Sequence, residues 1–219
     1  MKTVCVVSSS RADYDLLRGV IKGVLNSESL DLQLIITGMH LDPAFGDTWK
    51  VVEADGFPIT RRVPMLDDSD DGAGVSRAIG RGVLGFTDAL EELSPDAVLL
   101  LGDRFELLSA AASALVMRIP IVHIHGGETT ERAFDEAIRH SITKMSALHF
   151  VAADAYRQRV IQLGEDPNTV HVVGGLGVDA IAQTPLMTSR ALEEQLGIHF
   201  RDRSLLVTFH PVTLDFNSS

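Results

Sequence analysis

Short apolar runs and longer amphipathic stretches alternate along the whole chain. The runs at 3–7, 32–37, 97–101, 119–123, 148–151, 170–173 and 205–209 are aliphatic or β-branched with little polar interruption. A strand with one wet face alternates in polarity, whereas a strand covered on both faces stays apolar, so these runs predict parallel strands between helix layers. The stretches between them, 14–25, 48–54, 75–93, 105–117, 135–145, 155–163 and 189–195, read as helices. Such alternation predicts an α/β fold, a doubly wound parallel sheet of Rossmann-like type with right-handed crossovers.

Two segments read as connectors. Residues 66–74 hold Asp67, Asp68, Asp70 and Asp71 with Gly72 and Gly74. They predict a mobile, solvated acidic loop, because nothing there fixes the ligand geometry a metal needs. Residues 183–189 read as a linker before the last helix. The run at 205–209 is followed by His210 and Pro211, and the sequence stops at Ser219. An apolar strand without a partner ends a domain poorly. The expectation is therefore one domain over 1–200, with 201–219 the start of a truncated second one.

Composition narrows the partners. With 45% hydrophobic and 22% charged residues the chain can bury an ordinary core. A formal net charge of −11 repels nucleic acid and anionic lipid, so neither is an expected partner. An anionic small substrate is compatible if a local site meets its charge. Cys5 is the single cysteine, so no disulfide can form within the chain. No stretch approaches the length of a membrane span, and Met-Lys-Thr runs straight into an apolar strand without room for a signal peptide. These features predict a cytoplasmic location.

The candidate chemistry collects just after the predicted strands. The clusters are Ser8-Ser9-Ser10-Arg11-Ala12-Asp13-Tyr14, Gly38-Met39-His40, Gly102-Asp103-Arg104-Phe105-Glu106, His123-Ile124-His125-Gly126-Gly127-Glu128 and Gly174-Gly175-Leu176-Gly177-Val178-Asp179. In an open parallel sheet these positions share the edge where ligands bind. The 8–14 turn either offers backbone N–H groups and Arg11 to an anion, or is a capping turn with a surface arginine. It lacks the Gly-Lys-Ser/Thr ending of a P-loop. Asp103 either caps the helix from 105 or acts as an acid/base group or the orienter of one. Arg104 beside it would favour its charged form if the two touch. His123 and His125 would share a face of a strand, but no further ligand pattern completes a metal site, and none is predicted. Further on, Asp135 and Arg139, like Glu136 and His140, stand four apart and can pair along a helix. The 174–177 glycines are a tight turn or a surface where backbone meets a ligand.

These motifs occur in an order and spacing that resemble the hydrolysing UDP-N-acetylglucosamine 2-epimerases of bacterial sialic acid and related nonulosonic acid pathways. Thr37-Gly38-Met39-His40-Leu41, Asp135-Glu136-Ala137-Ile138-Arg139-His140 and Thr208-Phe209-His210-Pro211 complete the set. The resemblance implies the N-terminal domain of a glycosyltransferase-B-like two-domain fold with a UDP-sugar in the cleft. It implies release of UDP and N-acetylmannosamine through a 2-acetamidoglucal, without metal or nicotinamide cofactor, and a homo-oligomer, dimer or tetramer, at full length. By position, Asp103 and Asp135 match acid/base carboxylates and Arg139 an active-site arginine. Arg11 matches an arginine near the nucleotide phosphates, and His210 a histidine opening the second domain; His40 joins these as a substrate-binding residue. Many relatives carry a catalytic glutamate where this chain has His125, so either His125 or Glu128 performs that proton transfer. Two further readings stand beside this one. One is the same reaction on a UDP-diacetamido-trideoxy-glucose, and the other is an inactive sugar-nucleotide-binding fragment.

Overall fold

A computed structural model describes residues 1–130, 134–201 and 203–208. Seven strands form one sheet: β1 (Lys2–Ser8), β2 (Leu30–Thr37), β3 (Arg61–Val63), β4 (Ala97–Leu101), β5 (Ile121–Ile124), β6 (Leu148–Val151) and β7 (Val170–Val172). Their order is β3-β2-β1-β4-β5-β6-β7, and every neighbouring pair is parallel. The helices are α1 (Arg11–Leu25), α2 (Trp49–Ala54), α3 (Gly72–Leu93), α4 (Phe105–Val116), α5 (Asp135–Met145), α6 (Asp154–Gln162), α7 (Leu176–Gln183) and α8 (Ser189–Leu196).

Alternate residues of the central strands feed opposite core layers, as strand geometry dictates. Cys5, Val7, Ile35, Val98 and Leu100 pack with Phe86, Leu90, Leu107, Ala111 and Ile142 from α3, α4 and α5. Val6, Leu34, Ile36, Leu99 and Leu101 pack with Tyr14, Leu17 and Ile21 of α1 and with Val52 and Phe57. Both faces are thus covered, which is why the strands read as unbroken apolar runs. α3 and α4 approach closely because Gly82 leaves no side chain in the way, and Gly85 gives α3 the same close approach to β3. A Cβ at Gly82 would lie 2.7 Å from Ser109 Oγ, and one at Gly85 2.7 Å from Val63 Cγ1. The buried Ser109 and Ser113 hydroxyls donate across this contact to the Ile79 and Val83 carbonyls.

Several expectations change. β3 is an additional strand; it is three residues long, two of them exposed arginines, so it carries no apolar run. The 174–177 glycines end in a helix, since α7 begins at Leu176. Residues 205–208 are exposed and form no strand, and among the described residues none pairs with them; Phe209 and His210 lie outside the described residues. The acidic segment is partly built into the structure. Asp67 is clamped by Arg77 and Arg81. Asp71 caps α3 by accepting from Gly74 N at 2.7 Å, and Gly72 and Gly74 are already helical.

Candidate active site

The sheet reverses its direction of growth between β1 and β4. At such a switch point the loops leaving the two strands run to opposite faces and open a crevice beyond the carboxyl ends of the strands. The 9–10 and 102–104 connections flank it.

The β1–α1 turn is already filled by a carboxylate. Asp13, nearly buried, accepts from Ser9 N and Ser10 N at 2.8 Å each, and from the Ser8, Ser9 and Ser10 hydroxyls. The amides are therefore taken by the side chain of this turn's own aspartate, which matches the second of the two readings of this segment, a capping turn with a surface arginine. Ser10 and Asp13 form a reciprocal capping box. Arg11 heads α1 with 73% of its side chain exposed, 3.6 Å from Asp15. His40 is fully buried, with Nε2 2.9 Å from Ser8 Oγ and Nδ1 2.8 Å from Thr48 Oγ1. Ser8 gives its hydrogen to Asp13, so His40 Nε2 donates to Ser8 and Nδ1 accepts from Thr48. Burial holds the His40 pKa down, consistent with that neutral tautomer. With both nitrogens engaged, His40 braces the turn from within.

The β4–α4 turn differs from its local reading. Arg104 caps α4 without a side-chain hydrogen bond, so Asp103 is not the cap. Arg104 pairs with Glu106 at 2.7 Å instead of with Asp103. Asp103 is bound by Arg139 of α5, 36 residues away, so Arg139 is not spent on Asp135. Asp135 stays close enough that burial, first, and the Asp103 charge, second, push its pKa up. Glu106 is wholly buried with Oε2 unpartnered, and burial raises its pKa against the pull of Arg104. Arg104 also feels Asp13 and Asp135. Sequence spacing did not expose Glu106 or this placement of Arg104; the sole hint was two charged residues flanking Phe105 at a strand's end.

β5 carries the frame of the site. His123 is fully buried; Nε2 donates to the Gly102 carbonyl at 2.8 Å, and Nδ1 lies 3.2 Å from Thr143 Oγ1, one helical turn from Arg139. Burial brings its pKa down to about 4. His123 therefore braces the turn that presents Asp103. His125 lies past the strand's end at φ 63°, so the two histidines do not share a strand face. Its Nδ1 is 3.5 Å from Glu128 Oε1. Glu136 and His140 do approach along α5, at 3.7 Å.

Asp103, Asp135, Arg139 and Arg104 thus gather beside the switch point, with His125 and Glu128 on the adjoining turn. Arg11 lies on the exposed side of the first turn, and His210 is outside the described residues. Among the described residues no three His, Cys, Asp or Glu side chains group to hold a metal. None of the described helices is long and apolar enough to cross a membrane. A groove of about 1150 Å³ runs between α1 and α7 and shares no side chain with the Asp103–Arg139 cluster.

A sequence profile described as UDP-N-acetylglucosamine 2-epimerase matches residues 23–218. The chain is 41% identical over 218 residues to the GDP/UDP-N,N'-diacetylbacillosamine 2-epimerase (hydrolyzing) of Campylobacter jejuni, covering 100% of itself and 56% of that protein. It is 40% identical to the UDP-N,N'-diacetylbacillosamine 2-epimerase (hydrolyzing) of Legionella pneumophila, covering 100% of itself and 58% of that protein. It therefore spans little more than half the length of these relatives. The Methanocaldococcus jannaschii UDP-GlcNAc 2-epimerase in complex with UDP-GlcNAc and UDP superposes with a TM-score of 0.75 at 20% identity, over 89% of this chain and 54% of that one. The shared layout is the Rossmann-like, N-terminal domain of a glycosyltransferase-B-like fold.

Proposed function

The chain belongs to the UDP-N-acetylglucosamine 2-epimerase family, and from that premise we propose that the protein is a cytoplasmic, homo-oligomeric hydrolysing 2-epimerase of UDP-linked amino sugars, with UDP-N,N'-diacetylbacillosamine, a diacetamido-trideoxy sugar, as its substrate. The carrying observation is the pair of carboxylates at the switch point in unlike settings: Asp103 bound to Arg139, and Asp135 raised by burial and by the Asp103 charge. A carboxyl group that burial holds protonated to higher pH suits the acid half of the reaction, and the neighbouring Asp103–Arg139 ion pair suits fixing the groups around it.

The C2 hydrogen of the sugar is a poor acid, so its removal needs a positioned base and a stabilised leaving group. A base takes the C2 proton, the C–H pair becomes the C1=C2 bond, and the C1–O pair departs with UDP. Arg104 and the accessible Arg11 supply positive charge for the phosphates. Asp135, holding its proton to higher pH than an ordinary aspartate, then protonates C2 of the glycal from the opposite face. Water adds to C1 and returns its proton to the Asp135 carboxylate. The proton first taken from C2 passes to solvent as UDP leaves with its extra charge. Asp103 and Arg139 orient these groups, and the first base belongs to the 125–128 turn. Residues 1–200 form the catalytic domain in this reading, and 201–219, with His210, open a second lobe that completes the cleft.

The second reading is UDP-N-acetylglucosamine itself, favoured by the family's description and by a relative of that name in Neisseria meningitidis, 30% identical. The test is UDP release and product identification with each sugar nucleotide. A higher kcat/KM for the diacetamido sugar is expected; preference for UDP-N-acetylglucosamine would reverse the substrate assignment, and no release from either would end the epimerase reading.

A further inference from the structure

Resting on the epimerase reading above, we propose that the cavity at the carboxyl ends of β2 and β3 is a specificity pocket, which takes the C4 acetamido arm and the C6 methyl group of the sugar while C2 sits at the carboxylates.

The cavity measures about 420 Å³, and Leu41, Pro43, Pro64, Met65 and Leu66 form the apolar part of its lining. That size is ordinary for a small-molecule site. Its wall is held from behind. Asp67 is clamped by Arg77 and Arg81 of α3, and Arg81 also donates to the Leu66 carbonyl at 2.7 Å. Met65 is buried against the same helix, where a Cβ on Gly82 would meet its Cε at 2.7 Å.

The cavity adjoins the carboxylates in level, in side and in wall. Val6 pairs with Leu34 on one side and with Leu99 on the other, so Gly38 and Asp103, each four residues further on, leave the sheet at one level. Met65 shares a core layer with Leu107 of α4 and Ile138 of α5, and those helices carry Glu106, Asp135 and Arg139. Cavity and carboxylates therefore lie on the same side of the sheet. Gly38 lines the cavity at φ 54°, so near the site that a Cβ there would stand 2.7 Å from Glu106 Oε1. Glu106 in turn holds Arg104, the neighbour of Asp103. Gly38 is thus a partition with no side chain of its own.

The sugar ring supplies the direction. In a pyranose the C4–C5 edge lies opposite the C1–C2 bond. With C2 at Asp103 and Asp135 and C1 turned to UDP, the C4 arm and C6 point away from both. On the β5 side the backbone is packed tight, since a Cβ on Gly127 would stand 2.5 Å from Tyr156 O of α6. The β2 side offers the room. β1 alone separates β2 from β4, so their ends are on the order of 10 Å apart, a span that a pyranose with an acetamido arm bridges.

The chemistry agrees. Two methyl groups distinguish the diacetamido sugar from N-acetylglucosamine, one on the C4 acetyl and one at C6. The apolar lining removes both from water. Asp68, exposed at the cavity, leaves the N–H of the arm an acceptor. N-acetylglucosamine brings hydroxyl groups to the same places and leaves the cavity largely unfilled. A preference of roughly tenfold to a hundredfold for the diacetamido sugar follows.

The test uses the full-length protein with UDP-N,N'-diacetylbacillosamine and UDP-N-acetylglucosamine, and reads the ratio of their kcat/KM values. Pro64→Trp and Leu66→Trp fill the cavity from two positions. Each should lower the ratio about tenfold or more, chiefly through the KM of the diacetamido sugar. Damage to the fold would slow both substrates together and leave the ratio alone. Leu66→Ala serves if the tryptophan variants melt early; it strips part of the apolar wall and should lower the ratio about fourfold. A wild type that prefers the diacetamido sugar, with a ratio unmoved in all three variants, overturns the pocket and leaves the epimerase reading standing. A wild type that prefers UDP-N-acetylglucosamine overturns the substrate assignment and the pocket with it. No UDP release from either sugar sinks the epimerase reading itself.

Discussion

Asp103 and Arg139 meet across 36 residues of sequence, with the arginine almost wholly buried. Asp103→Asn keeps the shape but removes the countercharge, leaving a guanidinium poorly compensated. Thermal melting should show a loss of about 1–3 kcal/mol, without unfolding. UDP release should fall by roughly a hundredfold or more; near-normal release would remove Asp103 from the chemistry. His123 makes a prediction in pH. It titrates near 4 when folded, against about 6.5 in an unfolded chain. As pH falls, the unfolded chain binds this proton first. The stability is therefore complete above about 6.5 and is lost on descending toward 4, on the order of 3 kcal/mol. The gap between urea midpoints at pH 7 and pH 5 should be smaller for His123→Asn, which can still donate to the Gly102 carbonyl, than for the wild type. His40 and His149, lowered by burial, act in the same sense, and Glu106 and Asp135, raised when folded, in the opposite one; all four are present in both proteins and cancel in that comparison. The residues of the site were legible as clusters, but their pairings were not. Spacing shows neighbours along a helix, so it offered Asp135 to Arg139, whereas the fold supplied Asp103. For the 8–14 turn it left an anion site and a capping turn open, and the Ser10–Asp13 pairing decides for the capping turn.

α3 shows how local rules and packing compete within one element. Alanine exceeds glycine in helix propensity by about 1 kcal/mol. Gly80 has nothing within 4 Å of where a Cβ would sit, so Gly80→Ala should stabilise the protein by about 0.5–1 kcal/mol. At Gly74 the same Cβ would lie 1.9 Å from Ser69 O, so Gly74→Ala should destabilise it despite the better propensity. Paired urea melts check the opposite signs. Asp71→Ala removes the cap and should cost about 1 kcal/mol. The central strands were readable because burial on both faces leaves an unbroken apolar run. β3 escaped because a short edge strand can carry Arg61 and Arg62 exposed, one on each face, where charge also discourages pairing with other chains. α7 escaped because Gly174 and Gly175 look like a turn and in fact precede a helix whose Leu176 packs against the α1 layer.

At the scale of the molecule, the proposed cleft needs a second wall. A protein of the relatives' length carrying this domain should release UDP, while these 219 residues alone should do so at least roughly a hundredfold more slowly, since half the positioning is absent. Comparable rates would show that the described domain suffices. The order of the strands has a consequence for synthesis. β1 joins β2 within the first 37 residues, but its other edge waits for β4, with Lys2 tied to Asp96 across 94 positions. A ribosome adding about 5–20 residues per second holds that edge open for roughly 3 to 12 seconds. During that interval the backbone of residues 4–6 has no partner on that edge, a template for the wrong neighbour, and the nascent chain is most exposed to misassembly before its centre has closed.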